Sequence, residues 1–420
     1  MNLIISIFFL LLVVYYGFKD IKLGLLFYVV GTFLSPVLRV SSFELSFDIW
    51  CFLVIFIIYL IKRQNIVLKR HSFALVPYLI IYLLLTSISS IVFNCDISIA
   101  TIYAVVRFII VINMIIELWD DQLVVFADRV LSIVIFVNAG LAVVQMMNLV
   151  PVRTFYDLYY KESMTPLLSQ LRMGKFNRAF GATGSPVILG GIAAMSYAFF
   201  LSTYVDEKKK VKFNIFKILA CIICGLLALS KTAILAIPII TVYIIIMCTF
   251  LKKSKMSNQL LKILLLAILG GVALVLIVSW MKDKGFTIAY YLDFLTKPFE
   301  ALATRYDSDS GILAESINII KDHFIFGVGH ATFEGAFIGD SLYIVLMYQT
   351  GIIGLVAYLF PYIVSFFDSI KKEDLTKGAL IIVFLLIGIG NSLHLSYWVV
   401  PFVAIVFSID TANKEKTRLW

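Results

Sequence analysis

Charge is what this sequence has least of. Only 15% of its 420 residues are Asp, Glu, Lys or Arg, and 61% are hydrophobic; a soluble domain carries roughly 25% charge. A water-soluble enzyme of this length is excluded, because the surface that would solvate it is missing. Proline is scarce, at nine residues, so most apolar runs can form uninterrupted helix. The alternating period of a membrane barrel strand is absent. The five cysteines imply no disulfide framework. Cys221-Ile222-Ile223-Cys224 has redox spacing but lies inside an apolar run, where packing explains it, and Cys95 is alone in a short loop.

What is present is hydrophobic length. Runs of about 20 apolar residues recur along the whole chain. They predict an all-α, polytopic helical membrane protein with about 12–14 transmembrane helices in a single domain, residues 1–420. The predicted spans are 2–18, 23–38, 47–61, 73–93, 97–116, 123–147, 186–204, 215–229, 232–250, 260–280, 342–366, 378–394 and 397–409. The first run has no basic flank or cleavage site and reads as a retained span.

Lys62-Arg63, Lys69-Arg70, Lys208 to Lys212, Lys252 to Lys255, Lys371-Lys372 and the basic C-terminus then fall on one side, which the positive-inside rule assigns to the cytoplasm. The net charge of +9 is largely this fringe facing anionic lipid and calls for no nucleic acid. Two long polar loops, 148–185 and 281–340, fall on the outer side. A membrane enzyme acting on an extracytoplasmic substrate needs such loops.

Several charges stand out. Arg107 sits mid-span, where it must face a protein or water-filled interior: it either lines a cavity for an anionic group or pairs with a buried carboxylate. Lys231, in the tight Ser230-Lys231-Thr232 turn, is an interfacial anchor or a point charge beside a site. The first loop is locally basic, with Arg153, Lys161, Arg172, Lys175 and Arg178. Its Phe155, Tyr156, Tyr159 and Tyr160 suit sugars but are also ordinary interface residues. It ends in Arg178-x-x-Gly181 and Gly184-Ser185-Pro186, a helix start beside an Arg, which can hold an anion.

The second loop predicts amphipathic helices over 288–303 and 311–325. Between them, Asp307-Ser308-Asp309 has the spacing of a metal-binding pair but fits helix capping better. Arg305 is the sharper residue, since a guanidinium can hold two phosphate oxygens. His330, and His394 with Asn391, read as structural.

The order Arg178-x-x-Gly181…Ser185-Pro186, Ser230-Lys231-Thr232, Arg305, His323 to Gly329, then Asp340-Ser341-x9-Gly351-Ile352-Ile353-Gly354 resembles the Wzy-type polysaccharide polymerase and O-antigen ligase superfamily over about residues 170–365. The resemblance implies a GT-C-like, metal-independent glycosyltransferase without cofactor in the bacterial cytoplasmic (inner) membrane. It implies undecaprenyl-pyrophosphate-linked glycans as donor and acceptor, membrane lipid around it, and a flippase and a chain-length regulator beside it. Arg178 and Arg305 would stabilise the leaving pyrophosphate, and Arg107, Lys231, Arg172 and Tyr159 would bind substrate. Asp340 is either the base for the acceptor hydroxyl or a helix cap. Ligases resemble a pattern with His where this chain has Asp340, which favours a polymerase over a ligase. A lipid-linked glycan flippase is the reading from another class.

Overall fold

The apolar runs become helices. In the computed structural model the described residues are 2–36, 38–40, 43–45, 47–62, 75–95, 98–159, 174, 176–205, 215–250, 300, 306–307, 311–334, 336, 338 and 341–408. They contain α1 (Asn2–Lys19), α2 (Ile21–Leu34), α3 (Phe47–Lys62), α4 (Val76–Val92), α5 (Ile99–Trp119), α6 (Leu123–Met146) and α7 (Val152–Tyr159). There follow α8 (Pro186–Val205), α9 (Ile215–Leu227), α10 (Lys231–Phe250), α11 (Ala314–Asp322), α12 (Leu342–Lys371), α13 (Leu375–Gly388) and α14 (Val400–Phe407). A small antiparallel hairpin, β1 (Leu38–Val40) with β2 (Phe43–Leu45), joins α2 to α3 in the register Leu38 to Leu45 and Val40 to Phe43.

Five helices, α5, α6, α8, α10 and α12, are long and apolar enough to cross a membrane. Large apolar residues such as Leu11, Ile88, Phe250 and Phe360 are exposed on outward faces, which suits hydrocarbon rather than water. The predicted span 260–280 and the predicted helix 288–303 lie outside the described residues. The other predicted amphipathic helix appears as α11, shorter than expected at both ends, and Gly327 and Gly329 beyond it take left-handed backbone (φ 68° and 66°).

α8 is the central helix. It is apolar on every face, as a helix surrounded by others must be, and it packs against α6, α9, α10 and α13. Small residues allow this. A Cβ on Gly191 would stand 2.7 Å from the buried Trp398 ring, and one on Gly190 would collide with Ser230.

α12 is broken. Gly351 has φ 61° and ψ −163°, which no residue inside a helix adopts. The segment Phe324 to Gly329 crosses the break and satisfies it. Val328 and Gly329 N–H donate to the Tyr348 and Gln349 carbonyls (2.7 and 3.0 Å), and Ile352 N–H donates to the Phe324 carbonyl (2.8 Å). In a bilayer, irregular backbone is tolerated when protein supplies its partners in this way. The two glycine pairs seen in sequence, Gly327/Gly329 and Gly351/Gly354, are thus halves of one joint. A Cβ on Gly327 would stand 2.6 Å from Thr350 N and Tyr348 O.

Contacts between helix ends define the two ends of the bundle. At one, the loop end, the start of α12 meets the end of α13, where Leu342 N–H donates to the Asn391 carbonyl (3.1 Å). At the other, Lys217 at the start of α9 pairs with Asp128 near the start of α6 (2.6 Å). There too Tyr59 donates to the buried Glu117.

Candidate functional site

The site begins with a loop that should not be stable inside a bundle. Residues 176–184 are irregular, yet Phe176, Ala179, Phe180, Ala182 and Thr183 are buried. Buried irregular backbone needs partners for its amides. Three amide side chains provide them. Gln145 Oε1 accepts from Phe180 N–H (3.0 Å) and Gly181 N–H (2.9 Å), while its Nε2 donates to the Gly181 carbonyl (3.0 Å). Asn138 Oδ1 accepts from Ala182 N–H (2.8 Å), and Asn148 Oδ1 accepts from Phe176 N–H (3.2 Å). Gln145 and Asn138 are fully buried in α6, seven residues apart and so on one helix face. Gly181 is required here: its φ is 56° and a Cβ would strike Asn138 Oδ1.

That loop delivers Arg178. Its Nε donates to the Ala228 carbonyl (2.9 Å) and its Nη2 to the Leu229 carbonyl (3.2 Å). The guanidinium therefore sits at the C-terminus of α9, where orphan carbonyls and the helix dipole favour a cation. The same turn continues into Ser230-Lys231-Thr232. Arg178 and Lys231 are thus brought to one place, both half-buried.

Two further segments arrive there. Asn391 Nδ2 lies 3.5 Å from the Val187 carbonyl in the first turn of α8, and Gly390 lies against Thr232. The Tyr306 hydroxyl donates to the Ile389 carbonyl (2.8 Å). Ser341 occupies the N-cap of α12. The residue is 1% exposed, and its hydroxyl has no hydrogen-bond partner among the described residues.

Arg107 and Tyr159 stand elsewhere. Arg107 is 9% exposed and pairs with Asp48, in the first turn of α3, at 2.5 Å; its guanidinium also lies over the Tyr103 ring. The ion pair is the second of the two sequence readings; Arg107, without Asp48, also borders a space of about 20 Å3 with Tyr28, Thr32 and Tyr397, room for little more than one water molecule. Tyr159 is buried and its hydroxyl donates to the Leu34 carbonyl (3.3 Å), holding α7 on the end of α2. Burial pushes that hydroxyl up to about 12, so it stays a donor. Arg172, Arg305 and Asp340 lie outside the described residues.

Asp307 is exposed and its carbonyl accepts from Gly311 N–H (3.0 Å) in a turn. α11 begins at Ala314, and its N-cap Leu313 makes no side-chain cap; Ser308 and Asp309, on which the expected capping also fell, lie outside the described residues. No group of three His, Cys, Asp or Glu able to hold a metal occurs among the described residues.

Sequence reasoning passed over Asn138, Gln145 and Asp48. A signal existed for the first two: polar amides seven residues apart within an apolar run cost too much to be idle. Searches of protein-family models, of curated proteins and of solved structures find no match to this chain.

Proposed function

We propose that this chain is a multi-pass glycosyltransferase of the bacterial cytoplasmic membrane, GT-C-like, that joins lipid-pyrophosphate-linked oligosaccharide repeat units at the outer face. One observation carries the reading. Segments far apart in sequence, 178–185, 228–232, 341–342 and 389–391, interlock by hydrogen bonds and close packing at the loop end and gather Arg178 and Lys231 there. These are largely the segments that carry the resemblance to polysaccharide polymerases.

The chemistry asks for such a place. Outside the cytoplasm no nucleotide sugar is at hand, so the donor must carry its own leaving group, a lipid pyrophosphate. As the anomeric C–O bond breaks, negative charge grows on that pyrophosphate. Cations fixed beforehand stabilise the growing charge without reorganising. Arg178 is fixed by two carbonyls, and the positive charge of its guanidinium and of the Lys231 ammonium complements phosphate oxygens. In this reading Arg305 and Arg172 add to the same charge.

The test is complementation of a deletion strain, with surface glycan and lipid-linked intermediates resolved by size. Arg178→Ala is expected to leave single repeat units, at normal protein level, with transfer reduced about 100-fold or more. Long chains from Arg178→Ala would remove this residue from the site. A deletion strain that attaches no repeat unit at all would indicate a ligase. Purified protein that moves lipid-linked glycan across liposomes without joining units would indicate a flippase.

A further inference from the structure

Three consecutive large apolar side chains stand exposed where the sequence reads as part of a polar outer loop. Phe324, Ile325 and Phe326 are 50%, 54% and 57% exposed. Water is a poor neighbour for such a run. The residues just before it are different. The outward face of α11 carries Glu315, Asn318 and Lys321, with Asp322 at its end, all exposed. Polarity therefore switches from charged to apolar between Asp322 and Phe324. A boundary that sharp matches the change from lipid headgroups to acyl chains.

The fold sets the run within an apolar belt. The Phe324 carbonyl accepts from Ile352 N–H (2.8 Å), and the Ile325 carbonyl lies 3.5 Å from Ile353 N. The run thus sits against the break at Gly351. On the side away from the loop end, α12 continues with Ile353, Val356 and Phe360, all exposed. On the other side α4 gives the level. The Tyr82 hydroxyl donates to Gln349 Oε1 (3.0 Å), and the Tyr78 ring packs on Tyr358 (centroids 4.6 Å apart). So α4 runs antiparallel to α12, toward the loop end. Beyond Tyr82 it exposes Leu84, Ile88 and Ile91 along one face. Exposed apolar side chains therefore stand both deeper and shallower than the run.

Irregular backbone enters hydrocarbon only when protein supplies its partners. Here the His323 carbonyl accepts from Gly327 N–H (2.9 Å), and α12 takes up the Phe324 carbonyl and the N–H groups of Val328 and Gly329. The broken helix and the turn complete each other.

We propose that residues 323–329 form a re-entrant turn, with Phe324, Ile325 and Phe326 immersed in the acyl chains of the leaflet at the loop end and α11 above them in the headgroup layer. The occupant of this surface is lipid, because the run continues the exposed apolar faces of α4 and α12. The inference does not depend on the transferase reading. It makes part of the second long loop a membrane-embedded element, and it gives the break in α12 a purpose: to seat that element.

The experiment uses full-length, cysteine-free protein in phosphatidylcholine–phosphatidylglycerol vesicles, with a nitroxide on Phe324→Cys or Phe326→Cys. Collisions with oxygen, which concentrates in hydrocarbon, are compared with collisions with a water-soluble nickel chelate. Ile363→Cys, on an exposed apolar face of α12, and Asn318→Cys, on the polar face of α11, are the references. The oxygen-to-nickel ratio at 324 and 326 is expected to match that at 363 and to exceed that at 318 several-fold. A ratio equal to that at 318 would place the turn in water. Few collisions with either reagent would mean that protein covers it, a second copy of the chain included. Either result would overturn the inference. The unaltered chain supplies a second measurement. A photoactivated apolar carbene reagent dissolved in the lipid is expected to label 324–326 together with 353–367, read by peptide mass spectrometry. Label at 353–367 with none at 324–326 would equally overturn it.

Discussion

At the scale of single residues, the most consequential side chains are buried amides and one buried ion pair. Gln145 makes three hydrogen bonds to one irregular loop. Gln145→Leu leaves two N–H groups and a carbonyl without partners, each costing about 1–3 kcal/mol. A clear drop in the thermal unfolding midpoint in detergent is expected; an unchanged midpoint would show the loop to be held elsewhere. Arg107 and Asp48 form a closer test. Removing one partner strands the other, at about 3–5 kcal/mol, whereas replacing both by apolar residues costs much less. Arg107→Leu with Asp48→Leu should therefore be more stable than either single variant. Simple additivity in that cycle would deny the pair.

At the scale of elements, the broken α12 is the feature that sequence pattern disguised. Residues 342–366 read as one apolar span, and the structure does continue helix on both sides of Gly351. What periodicity cannot register is a single left-handed residue, because side-chain spacing on either side is hardly disturbed. The motif Gly351-Ile352-Ile353-Gly354 was legible, but its purpose was not, since its partner is the segment before it. Gly351→Ala is expected to unfold the joint, because the Cβ would strike the Ile325 carbonyl and a φ of 61° disfavours alanine. Faster proteolysis within 324–330 than in wild type is the measurement. Equal cleavage would mean that the joint tolerates a side chain.

At the scale of the whole molecule, the question is which end faces out. In the proposed topology the basic runs lie inside and the loop end outside, and the helix contacts gather the glycine loops at that end. In a cysteine-free background, a membrane-impermeant maleimide is expected to label Leu149→Cys, which is exposed at the loop end, in intact cells. Lys372→Cys should label only after permeabilisation. The reverse pattern would invert the topology and take Arg178 away from an extracytoplasmic substrate.

Composition and hydrophobic length were sufficient for the helical class and, among the described residues, for the approximate limits of most apolar helices, because burial in hydrocarbon demands long apolar runs whatever they touch. The glycines at 181, 184, 327, 329 and 351 were visible, and all take positive φ. Which groups meet was decided only by packing. Arg178 could have faced a helix N-terminus and instead lies on the end of α9; Arg107 found Asp48, 59 residues away. His330, read from sequence as structural, stands 3.3 Å from the Thr101 hydroxyl, 229 residues away. Such pairings depend on how α3, α4, α5 and α9 dock, and docking is set by the shapes of whole faces, which no local pattern encodes.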